Sequence, residues 1–348
     1  MSDAANSSQP KVKGAGITAW DVARIAGVSQ STVSRAFANS QLVSRETRDR
    51  IFSAAEQLGY QVNIMARGLS TQKSGLIAVV TGSTRNPFYW DVLRLVDERL
   101  QAEDMHVMLM TVKEGESTDS AIRKVHQYRV DGLLVLSAEL SSKAIDECRE
   151  FGLPVVLFNR YVESGNVSAV ACDNVVAGRD IAQFLYNTNH RRFAFISGLE
   201  DSSTNKDRLQ GYCDQLQRLG CPPPLVEGGD FTYEGGRQAV KRLMLQAERP
   251  EAIFCANDIM AIGALDGIKV DLGMRVPEDV SIIGFDDISM ASWSGIELTT
   301  MRQQTTRMVE SAVEILTQRI DAPDLKPEFR LEPGKLMIRR TVRLDRQA

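Results

Sequence analysis

Gln30, Ser31, Thr32, Ser34 and Arg35 fall within six residues and combine short amide and hydroxyl groups with one long cation. On a helix these positions face away from Val33, Ala36 and Phe37, whose spacing lets them bury one side. Amide and hydroxyl groups meet the edges of base pairs, and arginine grips guanine or phosphate. Such an outer face suits the major groove of duplex DNA. The preceding residues supply the support. Thr18 can cap a first helix, Asp21 completes a capping box, and Val22, Ile25 and Ala26 give an inner stripe. Gly27 stops that helix, because glycine enters the left-handed conformation without steric cost. Val28 plugs the corner and Ser29 caps the second helix. A third helix starts at Ser44, buries Ile51, Ala54, Ala55 and Leu58, turns Arg45, Arg48 and Arg50 outward, and ends at Gly59. Helix–glycine–helix turns also occur as ordinary hairpins, so the remainder of the chain decides the reading.

The 348 residues allow two or three domains and a sizeable core, and the composition, 43% hydrophobic and 25% charged, is that of a globular protein. The net charge of −4 excludes a general polyanion binder. The charge is unevenly placed: residues 1–73 hold nine Lys and Arg against five Asp and Glu, so the acidic excess lies wholly in the remainder. A basic head on an acidic body suits a head that meets phosphate. Cys148, Cys172, Cys213, Cys221 and Cys255 stand apart, without C-x-x-C or zinc spacing, and read as reduced thiols of a cytoplasmic protein. His106, His126 and His190 are isolated and read as surface or packing residues, so no metal site and no cofactor is expected. No apolar run reaches the length of a membrane span. Residues 1–16 are small and polar, which predicts a flexible lead and no secretory signal.

From residue 76 onward, short β-branched runs alternate with helical stretches. Strands are predicted at 76–81, 106–111, 132–136, 154–158, 193–197, 252–255 and 280–284. Helices are predicted at 88–103, 118–128, 141–151, 174–188, 205–219, 234–246 and 258–272. The alternation argues parallel sheets covered by helices, in two doubly wound lobes. Phosphate-cradling glycine loops and the G-x-S-x-G nucleophile elbow are missing, so the lobes read as a ligand-binding body and not as an enzyme.

The chain resembles the lactose/galactose-repressor (LacI/GalR) family of bacterial transcription regulators. The resemblance is carried by Asp21-Val-Ala, Ala26-Gly-Val-Ser29, Thr32-Val-Ser-Arg35, Val43-Ser44, Thr47-Arg48 and Leu58-Gly-Tyr60. Asn63, Ala66-Arg67, Leu69, Asn86-Pro-Phe88, Asn257-Asp258, Gly284-Phe-Asp-Asp287 and Leu298-Thr-Thr300 continue it in the same order. It implies an all-α helix-turn-helix headpiece (17–60), joined by a hinge helix and linker (61–74) to an α/β periplasmic-binding-protein-like type I effector module (75–348) of two doubly wound lobes. The chain would cross between lobes near 161, 290 and 321, giving lobe one 75–160 and 291–321 and lobe two 161–290 and 322–345.

The resemblance further implies a homodimer that places one recognition helix in each half of a pseudo-palindromic operator. Gln30, Ser31 and Arg35 would read bases, Thr32 and Ser34 would lie near phosphate, and Thr18 and Ser29 would anchor the motif to phosphate. In the hinge, Leu69 would wedge between base pairs in the minor groove, with Asn63 and Arg67 beside it. Two departures stand out: Val62 where the family often has proline before the asparagine, and Ala38 where asparagine is frequent. The short C-terminal stretch 339–348 cannot supply three heptads, which favours a dimer over a tetramer.

An effector is implied in the interlobe cleft, at strand carboxyl ends. The family's pocket positions fall on Asn86, Phe88, Asn159, Arg160, Asp173, Arg208, Asn257, Asp286 and Gln303, with Phe88 and Trp293 as apolar walls. Asn159 stands where many sugar-responsive members carry aspartate; with Arg160 and Arg208 retained, this leans toward a sugar acid or sugar phosphate and leaves a neutral sugar open. The sequence leaves open whether the effector induces, corepresses or accompanies activation. A sugar-binding protein without DNA function is the rival reading, opposed by the basic headpiece.

Overall fold

The computed structural model describes residues 17–38, 42–60, 73–82, 86–112, 116–136, 141–162 and 165–344. The chain divides into two units, Met1–Gly75 and Leu76–Ala348. The hinge positions Asn63, Arg67 and Leu69 lie outside the described residues.

The first unit holds α1 (Ala19–Ala26), α2 (Gln30–Ala38) and α3 (Arg45–Leu58). The Asp21 carboxylate accepts from the Thr18 backbone N–H at 3.0 Å and its hydroxyl at 2.7 Å, which fixes the start of α1. Those two bonds and Arg24 hold Asp21 below the usual carboxylate range. Gly27 takes φ 66° and closes the helix. The Ser29 hydroxyl accepts from the Thr32 N–H at 3.2 Å, and Ser44 accepts from Thr47 at 3.4 Å. Val22, Ala23, Ala26, Val33, Ala36, Ile51, Ala54 and Ala55 form the core. Each large member contributes about 1.5–3 kcal/mol by leaving water. Phe37 is half-buried, edge-on to Phe52 at 5.0 Å. Ile25, expected in the stripe, is 48% exposed. Ala23 takes the inner place, because the third-helix contact turns the short α1 so that Ile25 faces the shallow surface between α1 and α3.

The second unit contains two six-stranded sheets. Sheet one holds β1 (Leu76–Thr81), β2 (His106–Thr111), β3 (Gly132–Leu136), β4 (Val155–Phe158), β5 (Ser168–Cys172) and β11 (Phe329–Glu332). Sheet two holds β6 (Phe193–Ser197), β7 (Leu225–Gly228), β8 (Ala252–Cys255), β9 (Ser281–Asp286), β10 (Thr299–Arg302) and β12 (Lys335–Met337). The orders are β11-β5-β4-β3-β1-β2 and β12-β10-β9-β8-β6-β7, parallel throughout except for the antiparallel β10–β12 pair. The covering helices are α4 (Pro87–Gln101), α5 (Thr118–Val125), α6 (Ser142–Glu150), α7 (Asn174–Asn187), α8 (Ser203–Arg218), α9 (Tyr233–Met244), α10 (Asp258–Asp266) and α11 (Thr305–Asp321). Central strands read as unbroken apolar runs because both faces are covered. Two expected helices end early: α5 passes into a 3-10 turn at His126–Tyr128, and α10 into a π turn at Gly267–Asp271. His190 is a packing residue, 1% exposed and bonded to the Ser281 hydroxyl at 2.9 Å. Among the described residues no helix is long and apolar enough to cross a membrane.

The lobe boundaries differ from expectation. β5 pairs in parallel with β4, so the chain stays in lobe one beyond 161 and first crosses at Asp173. β10 pairs with β9, which keeps the chain in lobe two beyond 290 until Gln303. α11 packs on lobe one, and β11 pairs with β5, so the last crossing falls between β11 and β12 instead of near 321. Each displacement of roughly a dozen residues covers one missed strand and the connection leading into it.

Candidate DNA-binding helix and effector cleft

On the headpiece, α2 presents Gln30, Ser31, Ser34 and Arg35 to solvent, while Thr32 is half-buried beneath them. Val33 and Ala36, each 1% exposed, lock the helix by its opposite side. The Ser29 hydroxyl bonds the hydroxyls of Ser31 and Thr32, both at 2.8 Å. These three hydroxyls form one cluster at the helix start, where the backbone N–H groups and the dipole favour an anion. Thr18 is exposed. The Arg35 guanidinium folds along the helix, donating to the Ser31 carbonyl at 3.2 Å.

In the second unit, the site residues collect where strands end. Asn86 caps α4 after β1, accepting from the Phe88 N–H at 3.0 Å. Asn159 follows β4 at φ 63°, a left-handed position that asparagine tolerates. Asp173 follows β5 and caps α7, accepting from the Val176 N–H at 3.1 Å. Asn257 follows β8 and caps α10, accepting from the Met260 N–H at 3.0 Å. Asp286 ends β9 and Gln303 follows β10. Parallel register alone therefore brings six positions, scattered over more than two hundred residues, to facing strand ends.

At the centre is Arg208, 2% exposed. Its Nε donates to Asn174 Oδ1 at 2.8 Å, one Nη donates to the Ala256 carbonyl, and its plane lies 3.6 Å over the Phe285 ring. A desolvated stack of this kind contributes about 2 kcal/mol. The remaining Nη2 stands 3.8 Å from Asp286 Oδ1. Asp286 accepts from Gln303 Nε2 at 2.7 Å, and the Asn86 side chain, from the other lobe, also favours its charged form. Burial pushes the Asp286 carboxyl up to about 6, against the pull of Arg208, Gln303 and Asn86. Burial likewise draws the Arg208 guanidinium down although Asp286 opposes it. Both partners report the same balance: removal from water outweighs the pairing. Asp258 lies behind them, accepting from the Ile288 N–H at 2.9 Å and from the Thr300 hydroxyl, and burial with the Asp286 charge raises its carboxyl well above the usual range. Close helix packing seats Arg208: a Cβ at Gly178 would lie 2.5 Å from the Arg208 carbonyl oxygen, and one at Gly211 would lie 2.0 Å from that of Val175.

Asn159 Oδ1, Arg208 Nη2, Asn257 Nδ2 and Gln303 Oε1 are buried without a hydrogen-bond partner. Buried polar atoms of this kind normally find one, so the set describes the donors and acceptors a polar ligand would satisfy. Asn86, Asn159, Arg208, Asn257, Asp286 and Gln303 are all buried, and Arg160 and Asp173 are half-buried at the margin. Two expected walls are placed otherwise. Phe88 is 3% exposed and belongs to the core of lobe one, because the Pro87–Phe88 turn of α4 folds its ring inward. Trp293 is 57% exposed on the β9–β10 connection, outside the buried cluster. Besides Phe285, Tyr89 also reaches the cluster: its hydroxyl accepts from Asn159 Nδ2 at 3.4 Å. Asn174 and Phe285 were also missed. Asn174 follows the expected pocket residue Asp173, and Phe285 precedes Asp286, so adjacency is the available signal.

A helix-turn-helix headpiece and a two-lobed binding module define a ligand-responsive DNA-binding regulator. Residues 18–63 match the model for bacterial regulatory proteins of the lacI family, and residues 182–342 match that of a periplasmic binding protein-like domain. The chain is 33% identical to the HTH-type transcriptional repressor CytR of Escherichia coli (strain K12), over 94% of this chain and 96% of that one. Among solved structures, it is similar to the transcriptional regulator CelR in complex with cellobiose, at 31% identity and a TM-score of 0.71, covering 93% of this chain and 99% of that one. It is also similar to the lac repressor dimer bound to operator and an anti-inducer, at 26% identity and a TM-score of 0.85, covering 94% and 99%. The chain belongs to the lacI family of bacterial transcriptional regulators.

Proposed function

We propose that this chain is a cytoplasmic, dimeric repressor whose affinity for a pseudo-palindromic operator is set by a small molecule in the interlobe cleft. Gln30, Ser31 and Arg35 read base edges, while Thr18, Ser29, Thr32 and Ser34 hold phosphate. Asn63 and Arg67 lie along the minor groove, with Leu69 as the wedge. Asn86, Asn159, Arg208, Asn257, Asp286 and Gln303 bind the effector, with Arg160 and Asp173 at the rim. The observation that carries the reading is the set of buried, unpartnered polar atoms around Arg208 and Asp286, in a chain whose headpiece exposes a polar helix face.

The state of Arg208 also supports one effector class. Two of its three nitrogens are engaged by Asn174 and Ala256, and the third faces Asp286. A bidentate grip on carboxylate or phosphate needs two free parallel donors. A neutral sugar, accepting from Nη2 and donating to Asp286, fits better than the sugar acid or sugar phosphate toward which Asn159 leans. Selection of bound duplexes from a random pool tests the DNA half. A shared two-fold motif with steep salt dependence supports it, and recovery of unrelated sequences overturns it.

A further inference from the structure

We infer that Tyr161 is a positioning residue for lobe closure: its hydroxyl, carried by lobe one, clasps Asp207 of lobe two and so fixes where α8 holds Arg208 in the cleft. The inference rests on the cleft reading above and assigns its closing contact. Tyr161 donates through its hydroxyl to Asp207 Oδ1 at 3.0 Å and through its backbone N–H to the Ser203 hydroxyl at 3.3 Å. Ser203 opens α8, Asp207 lies one turn on, and Arg208 is the next residue.

Tyr161 is not on any crossing segment; those run through Asp173, Gln303 and the β11–β12 link. Contacts at a crossing persist whenever the lobes rotate, because the chain is continuous there. A contact between separate surfaces of the two lobes is made on closing and broken on opening. The Tyr161 ring is braced on its own lobe by Phe329 of β11, at 5.1 Å between centroids. It also borders a cavity of about 270 Å³ lined by Val162, Val167, Ala169 and Pro327, which gives the ring room to leave α8. On the other side, Asp207 is half-buried. Burial raises its carboxyl above the usual range, the Tyr161 hydroxyl and Arg208 pull it back, and Asp173 adds to the rise. Without the hydroxyl this carboxylate is better served by water, which it reaches when the lobes part.

The test is hydrogen–deuterium exchange on the full chain without added ligand, comparing wild type with Tyr161→Phe, Asp207→Asn and Tyr233→Phe. Tyr161→Phe should speed exchange roughly tenfold at 202–208 and, beyond direct contact, at the N-terminal turn of α4, where Asn86 meets Asp286. Asp207→Asn keeps an acceptor oxygen and should stay close to wild type. Tyr233→Phe loses a similar bond, to Asp266, but inside lobe two, and should leave the α4 turn unchanged. Exchange at the α4 turn that is the same in Tyr161→Phe and wild type overturns the assignment, because a local structural bond would perturb only its neighbours. A parallel thermal-shift screen of wild type with cellobiose, ribose and uridine separates this from the cleft reading. If no sugar or nucleoside binds while the exchange difference stands, the clasp holds and the cleft reading is at fault. If a compound binds and no exchange difference exists, the clasp is refuted and the cleft stands.

Discussion

Replacing Asp286 by asparagine should change how stability depends on pH, and the direction follows from the structure. In the folded chain burial holds the Asp286 carboxyl up at about 6, from an ordinary value of 3.8. Between these two values the folded chain keeps a proton that the unfolded chain has released. The carboxyl therefore favours folding at low pH, and this contribution is lost as pH rises through about 6. A shift from 3.8 to about 6, at roughly 1.36 kcal/mol per unit, amounts to about 3 kcal/mol. Asparagine keeps the size of the side chain and the oxygen that accepts from Gln303, but cannot titrate. Wild type should thus lose about 2 kcal/mol of this relative to Asp286→Asn between about pH 4 and pH 7, the rest falling outside that range. Distant carboxylates such as Asp271 and Asp279, held down to about 2 by Arg237 with Lys241 and by Arg275, titrate alike in both proteins and cancel. Asp258 acts in the same direction, because the Asp286 charge helps to raise it and the variant removes that charge. Urea unfolding followed by circular dichroism at steps across this range supplies the two curves. Parallel profiles would refute the reasoning, and a wild type that gains on the variant as pH rises would show that pairing with Arg208 outweighs burial.

Further outcomes are expected at other sites. Arg35→Ala should weaken binding to the selected operator by about 1–3 kcal/mol while barely changing affinity for random duplex, as read by fluorescence anisotropy; equal losses on both would remove Arg35 from base reading. Gly211→Ala forces a methyl group to within 2.0 Å of the Val175 carbonyl oxygen and should destabilise the second unit by about 1–3 kcal/mol or more, with a lowered melting temperature. Ser44→Ala removes the acceptor at the start of α3 and should cost the headpiece about 1 kcal/mol, visible as faster amide exchange in α3.

Much of this architecture is legible in the sequence because its signals are local. β1, β3, β6 and β8 fall at the predicted residues, since covered parallel strands appear as short apolar runs between helices. The headpiece caps at Thr18, Ser29 and Ser44, and the stops at Gly27 and Gly59, depend on hydrogen bonds within one turn. What was missed depends on partners far away in the chain. β5 reads Ser-Ala-Val-Ala-Cys, small residues with little strand character, and exists because β4 and β11 flank it. β7, β11 and β12 lie at sheet edges with exposed faces, so they lack the apolar run that marks a covered strand. Overlooking β5, β10 and β11 displaced all three lobe crossings. In the candidate site, Arg208, Asp286 and Gln303 are expected through resemblance, whereas Tyr89, Asn174 and Phe285 join the cluster only when α4, α7 and β9 come together. Trp293, an aromatic near Asp286 in sequence, faces solvent in the fold, outside the buried cluster.

The most direct experiment titrates a panel of neutral sugars, sugar acids and sugar phosphates into a complex of the full-length protein with its selected operator duplex, with Asp286→Ala alongside. One compound, expected among the neutral sugars, should shift operator affinity by roughly 5- to 150-fold, and the variant should bind operator but not respond. Operator affinity that no bound compound alters, or a response that survives Asp286→Ala unchanged, would contradict a cleft-controlled regulator.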